Sequence, residues 1–415
     1  MSSRENSLWT KDFTIITVGT VVSMFGNALS GFAASLLVLD YTGSTLLYAV
    51  TVALYTLPQI VMPVISGAIL DRFSRRKTIY TLDFTSSALY LAAAILIYTG
   101  VMSYALLAVY VFLVGSIASI YQVAYDSFYP LLVEKDSYSK AYSIASVLET
   151  ISLVMVPVAA WLYDLVGIVP IFLINACTFL IAAVMETQIS AGHESYIDRQ
   201  KEKRTESSSV RQMFSDIKEG ASFIKNDRGL RSITIYFAFG SVVSGIYSVL
   251  ILPYFRANFE NGEYVYMAVM GMGVLGRALG GAWHYRHKLP AEKKYSIAYA
   301  VYLITSIIEG VMLFLPVKVM YLITFASGVL GVTSYTIRIS ATQSYVADEM
   351  KGRFNGAFSM INTAGALIGE LSSGALSTVM DTRWIMALYM FLHALTAYFF
   401  IGRNREAVSA IYNRD

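Results

Sequence analysis

The stretch FTIITVGTVVSMFGNALSGFAASLLVL, residues 13–39, contains no charged side chain. A helix rises about 1.5 Å per residue, so roughly 20 apolar residues cross the hydrocarbon core of a bilayer. The stretch is longer than the apolar part of a cleavable signal peptide, and no small-residue cleavage site follows it. It therefore predicts a first membrane-spanning helix.

Eleven further apolar stretches of similar length follow along the chain. Each is long enough to cross a bilayer as a helix. The sequence therefore predicts an all-α membrane protein with twelve transmembrane helices. The eleven stretches are residues 45–70, 78–99, 104–132, 140–166, 168–189, 229–256, 263–285, 294–315, 317–346, 353–380 and 383–403.

The composition agrees with a chain whose main solvent is lipid. Of the 415 residues, 56% are hydrophobic and 14% are charged, whereas a soluble domain has about 25% charged residues. The net charge of +3 does not indicate a nucleic-acid partner. No zinc-protease, CxxC or phosphate-loop motif occurs, so the sequence predicts no metal, cofactor or catalytic residue.

The basic residues are distributed unevenly among the loops. If the N-terminus is cytoplasmic, 26 of the 31 lysines and arginines fall on the cytoplasmic side. The outer loops hold only Arg256, Lys318 and Arg383. By the positive-inside rule, we expect an inner-membrane protein with both termini in the cytoplasm.

The longest polar stretch divides the twelve predicted spans into two sets of six. We expect an N-terminal bundle at residues 1–189, a cytoplasmic linker at 190–228 and a C-terminal bundle at 229–415. Within the linker, apolar residues recur at helical spacing from Val210 to Ile224. This pattern predicts an amphipathic helix, either on the inner leaflet or solvated as part of the linker.

Two loops recur in the second half at an offset of about 214 residues. GAILDRFSRRK, beginning at Gly67, has a diverged counterpart containing Gly281 and Arg286, and LLVEKDSYSKAYS at Leu131 is similar to YVADEMKGRFNGAFS at Tyr345. Two matches at one offset indicate an internal repeat. We therefore expect two pseudo-symmetric bundles of six helices.

The loop GAILDRFSRRK resembles the signature loop of the major facilitator superfamily, although Ser74 replaces a glycine. The resemblance implies transport by alternating access, with this loop latching the two halves in one conformation. A plain positive-inside anchor is the alternative role. The matching residues, and so the predicted latch, are Gly67, Asp71, Arg72, Arg75 and Arg76.

Nearly the whole chain is similar to the drug:proton antiporter branch that includes macrolide-efflux and enterobactin-export proteins. The matching features include Gly26-Asn27, the turn YTGS at residues 41–44, and Asn175 with Phe179. Asn27 stands where that branch usually has an acid, and the fifth span keeps only Pro157 of the branch's antiporter signature. Proton antiport is thus implied by the resemblance but not by these two positions.

Charged residues inside spans are costly, at about 2.5–3.5 kcal/mol each at the centre of a helix, so they usually have a partner or a function. Glu149 and Arg277 lie at similar depths in spans that pack together in the resembled fold, and we expect them to pair. Asp126 and Arg338 form a second candidate pair. Each pair is either a structural bridge or a proton-coupling element. Glu370, read as an isolated carboxylate, is a further candidate for proton uptake.

Aromatic and polar side chains in the spans are candidates for a substrate cavity, because aromatic rings suit bulky amphipathic ligands. Packing against lipid or protein is the more common role of any single tyrosine. The cavity candidates are Asn27, Tyr121, Tyr125 and Tyr247.

Together these features predict a secondary transporter that exports an amphipathic small molecule, such as a drug or siderophore, in exchange for protons. The expected partners are that substrate, protons and membrane lipids, and the chain is expected to be a monomer. Uptake or facilitated diffusion through the same fold is the alternative, followed by a membrane sensor that no longer transports. A membrane-embedded enzyme is disfavoured because no intramembrane acidic metal motif or nucleophile–base pair occurs.

Overall fold

The computed structural model describes residues 9–63, 74–133, 144, 155–190, 210–287 and 289–414. Helices account for all the regular secondary structure of these residues, and no strand occurs among them. Ten of the described helices are long and apolar enough to cross a membrane. The predicted all-helical fold class is therefore confirmed.

The chain divides into two compact units, residues 1–43 with 54–213, and residues 44–53 with 214–415. The helices of the first part of the chain are α1 (Lys11–Thr42), α2 (Thr45–Thr56), α3 (Arg75–Tyr98), α4 (Tyr104–Phe128), α5 (Met155–Val166) and α6 (Ile168–Glu186).

The second part of the chain begins with the helix predicted in the linker. Its helices are α7 (Val210–Asn226), α8 (Arg228–Asn258), α9 (Gly262–Arg286), α10 (Lys294–Met312), α11 (Val317–Tyr345), α12 (Asp348–Leu376), α13 (Thr382–Thr396) and α14 (Arg405–Tyr412), with a π-helical turn at Ala397–Gly402.

The positions at which helices begin depend on capping side chains and charges in the first turn as well as on hydropathy. Helix α12 begins five residues before the predicted span, because Asp348 and Glu349 occupy its first turn, where negative charge is favoured. The side chain of Asp381 accepts a hydrogen bond from the Arg383 backbone amide and thereby caps α13. Hydrogen bonding from the Arg383 side chain and backbone lowers the pKa of Asp381.

The same pattern of helix neighbours occurs in each unit. In the first unit, α6 packs on α1 and α3, α3 also packs on α4, and α1 packs on α5. The corresponding pairs in the second unit are α13 with α8 and α10, α10 with α11, and α8 with α12. This correspondence agrees with the internal repeat read from the loops.

The amphipathic helix α7 packs against protein. Ile224 is buried in the core of the second unit, and a Cβ at Gly220 would overlap the carbonyl oxygen of Arg353 on α12. The Arg353 guanidinium binds Asp216 at 3.1 Å and Glu219 at 2.9 Å. The C-terminal half of α7 therefore packs on its own unit, whereas Phe214 near the start of the helix is 55% exposed.

Candidate functional site

Two carboxylic acids lie side by side in the interior of the first unit. Asp83, on α3, is 1% exposed, and Glu186, the last residue of α6, is 0% exposed. The two carboxyl groups are neighbours across the α3–α6 contact. This arrangement is unusual, since aspartate and glutamate are rarely buried completely unless they are paired with a cation or bind a metal.

The walls of this acid pair come from α1 and α4. Gly19 on α1 leaves room for Glu186, because a Cβ at position 19 would lie 3.3 Å from its Oε1. Tyr121 on α4 lies next to both acids. The hydroxyl of Thr20 faces Tyr121. Thus four helices of one unit contribute to a single polar pocket.

The polar atoms of this pocket are poorly satisfied. Within the described part of the chain, neither carboxylate oxygen of Glu186 has a hydrogen-bond partner, and neither does Oδ2 of Asp83. The buried hydroxyls of Thr20 and Tyr121 also lack one. Buried polar groups nearly always have partners, so a group left without one calls for an explanation such as a bound ion or a catalytic role.

A proton would satisfy the acid pair. Two adjacent carboxylates in a low-dielectric interior repel each other when both are ionised, so one of them tends to hold a proton. That proton would also turn the contact into an O–H···O hydrogen bond. No group of three or more metal-ligating side chains is found in the described ranges.

The described part of the predicted latch loop lies at the same end of the first unit. Arg76 Nη1 donates to the carbonyl oxygen of Ile189, three residues after Glu186. Arg75 Nη1 lies 3.5 Å from the carbonyl oxygen of Ser127, near the end of α4. Both guanidiniums thus bind carbonyls at the C-terminal ends of helices, where positive charge is favoured. Of the five latch residues, Gly67, Asp71 and Arg72 lie outside the described residues.

The cavity candidates of the first unit fall into two groups. Tyr121 and Tyr125 stack with ring centroids 6.1 Å apart, and Tyr121 belongs to the acid pocket. Asn27 is exposed and lies 3.5 Å from Asn175, whose amide donates to Ser30 Oγ at 2.7 Å.

The neighbouring Gly26 is needed for this contact, because a Cβ there would overlap Asn175 Oδ1. The Gly26-Asn27 and Asn175 features that were matched separately in the sequence are therefore in contact.

The predicted charge pairs remain predictions. Glu149 lies outside the described residues, and Arg277 is exposed on α9. Asp126 accepts a hydrogen bond from Gln122 at 2.8 Å in its own unit. Arg338, on α11, lies against aromatic rings of its own unit.

Two acids of the second unit have neighbours that the sequence did not reveal. Glu370 is 4% exposed and has an interaction partner, so its description as an isolated carboxylate is corrected. Tyr247 and Ser327 both lie beside the carboxylate of Glu309 on α10. The Tyr247 cavity candidate is therefore adjacent to an acidic residue of α10.

Sequence reasoning missed Asp83 and Glu186. Both fall inside predicted spans, 78–99 and 168–189, so a search of every span for acidic residues would have included them. Their proximity could not be read from the sequence, because it depends on how α3 and α6 pack.

Comparison with known proteins shows which protein family the chain belongs to. The family model of the Major Facilitator Superfamily matches residues 16–370. The chain therefore belongs to the Major Facilitator Superfamily, a superfamily of membrane transporters.

Among individual proteins, the chain is similar to an uncharacterized MFS-type transporter, YkuC, of Bacillus subtilis (strain 168). The two are 24% identical over 283 residues, and this match spans 65% of the present chain and 64% of YkuC. The match thus covers less than two thirds of the relative's length.

Solved structures share the fold at low sequence identity. The nucleoside transporter NupG superposes with a TM-score of 0.67 at 12% identity, over 94% of this chain and 98% of NupG. A bacterial homologue of the iron transporter ferroportin, in an inward-facing state, gives a TM-score of 0.68 at 15% identity, over 97% and 98%. The branch of drug exporters suggested by the sequence is not among these matches.

Proposed function

We propose that this protein is a proton-coupled secondary transporter that exports an amphipathic small molecule across the inner membrane by alternating access. Both termini would lie in the cytoplasm, and the chain would act as a monomer surrounded by lipid. Membership of the superfamily supports transport. The buried pair of Asp83 and Glu186 is the single observation that supports coupling to protons.

The coupling follows from the electrostatics of the pair. With one proton bound, the pocket holds one negative charge, and with none it holds two adjacent charges in a dry interior. A conformational change that admits water to the pocket would lower the cost of the second charge and release the proton. A carrier that binds a proton in one state and releases it in the other can draw work from the proton gradient.

The location of the pair also suits this role. Under the proposed topology, Glu186 lies at the cytoplasmic end of α6, and Arg76 binds the carbonyl of Ile189 immediately beyond it. A movement of the predicted latch loop would therefore shift the end of α6 and with it the Glu186 carboxylate. This connection would link opening of the cytoplasmic side to proton release.

The choice of export over uptake rests on the resemblance to drug exporters. The named neighbours are a nucleoside transporter and a bacterial homologue of an iron transporter, so they do not indicate one substrate. The test uses everted membrane vesicles with an acidic lumen and a panel of fluorescent dyes and antibiotics. We expect at least one compound to accumulate in the lumen, and nigericin, which dissipates the pH difference, to abolish this accumulation.

Each alternative gives a different result. Accumulation only in right-side-out vesicles would identify uptake. Equilibration that ignores the pH difference would identify facilitated diffusion, and the absence of any movement across a broad panel would favour a sensor. Vesicles from cells without the protein provide the control.

A further inference from the structure

The second unit contains a cation with an unusual environment. The guanidinium of Arg338, within the membrane-spanning helix α11, lies 5.2 Å from the ring centroid of Phe237, 5.3 Å from that of Tyr335 and 4.9 Å from that of Phe358. These rings come from α8, α11 and α12. Arg338 is thus held in a cage of aromatic rings built by three helices.

The rings stabilise the charge but do not satisfy its hydrogen bonds. A cation over an aromatic face gains about 0.5–2 kcal/mol, but a ring face offers no lone pair to the N–H groups in the guanidinium plane. Arg338 Nε is buried and has no acceptor among the described residues. The titratable groups around it are the neutral hydroxyls of Tyr302, Tyr335 and Tyr412, and no carboxylate of the described second unit is among them.

An anion would complete this site. The planar guanidinium presents paired N–H donors that match a carboxylate or phosphate, and the match is strongest when little water competes. Arg338 is half-buried and Tyr335 is 55% exposed, so part of the cage is left uncovered by protein. The rings provide apolar surface for the body of the same ligand.

We propose that Arg338, with Phe237, Tyr335 and Phe358, forms the subsite that binds the anionic group of the transported molecule. The substrate class is then an amphipathic organic anion, with a carboxylate or phosphate next to a flat apolar body. The identification of the ligand as the substrate rests on the proposed transport function.

Binding of two matched probes to the purified protein in a neutral detergent tests this site. The probes are dansyl-phenylalanine, which has a free carboxylate, and dansyl-phenylalanine amide, which is otherwise the same. We expect the wild type to bind the acid at least about tenfold more tightly than the amide. Only the acid can form a charge-assisted bidentate hydrogen bond with the guanidinium. Arg338→Gln should remove the preference, and Arg338→Lys should retain part of it.

Arg403→Gln is the matched control, because Arg403 also lies over one ring, Phe399, but is exposed at a helix end. It should keep the wild-type preference. If Arg338→Gln does not fold, the Phe237→Leu variant replaces it and should weaken binding of both probes. An equal affinity of the wild type for the two probes, or a preference that survives Arg338→Gln, would overturn the proposal.

Two further measurements are needed. One distinguishes a lipid headgroup from a substrate as the source of the anion, and the other distinguishes failure of the anion site from failure of the proposed transport function. Displacement of the acid probe by phosphatidylglycerol, but not by unlabelled naphthoate, would identify a lipid phosphate and overturn the substrate assignment. Because binding in detergent needs no gradient, selective binding without proton-driven transport would refute the proposed function and leave an anion site. Proton-driven transport of acid and amide alike would refute this site only.

Discussion

Replacing Asp83 by asparagine or Glu186 by glutamine is expected to reduce proton-driven accumulation strongly while leaving substrate exchange intact. Each change keeps the shape of the side chain but removes its ability to carry a proton. Coupling free energies between two sites are typically about 1–3 kcal/mol, a factor of about 5 to 150, and gradient-driven accumulation should fall by a factor in this range. Exchange of labelled for unlabelled substrate, which moves no net proton, should continue.

A folding defect is easily distinguished from this loss of coupling. The amide replaces the protonated member of the pair with another neutral group of the same shape, so the thermal stability of either variant should be close to that of the wild type. Glu260→Gln, which changes an exposed carboxylate at the end of α8, provides the matched control and should transport normally. Full gradient-driven accumulation by both Asp83→Asn and Glu186→Gln would refute the role of the pair.

The largest effect on stability is expected at Gly369. Helices α8 and α12 approach closely there, because a Cβ at Gly369 would overlap the carbonyl oxygen of Val242. The obstacle is backbone, which cannot move aside without separating the helices. Overpacking of this kind costs about 1–3 kcal/mol, so Gly369→Ala should lower the melting temperature of the detergent-solubilised protein by several degrees.

Gly356, on the same helix, is the matched control. A Cβ at position 356 would meet no atom within 4 Å, and alanine is favoured over glycine in a helix by about 1 kcal/mol. Gly356→Ala should therefore leave the melting temperature unchanged or raise it slightly. Equal melting temperatures for the two alanine variants would show that the α8–α12 contact is looser than the structure indicates.

The fold was largely predictable because hydropathy is a local property. Each apolar stretch coincides with a helix wherever the structure describes it, and errors are confined to ends such as Asp348, where capping and the helix dipole act beyond the apolar run. The repeat was predictable for a similar reason, since loops keep their sequence when both halves need the same turn.

The site was less predictable because it depends on packing. Asp83 and Glu186 are about 100 residues apart in sequence, and only the α3–α6 contact brings them together. Reasoning from depth favoured charges near the middle of spans, so acids nearer the helix ends were passed over. Arg338 was identified as an intramembrane charge, but its aromatic cage is assembled from three helices and has no local signature.

Proton release on substrate binding tests the central claim most directly, namely that Asp83 and Glu186 carry the coupled proton. The purified protein in weakly buffered detergent solution, with a pH-sensitive dye, is mixed with a compound identified by the vesicle assay. The account predicts that the wild type releases up to about one proton per chain, because two adjacent carboxylates share one, and that the Asp83→Asn/Glu186→Gln double variant binds the compound but releases none. Equal release by the double variant, or binding by the wild type without release, would contradict it.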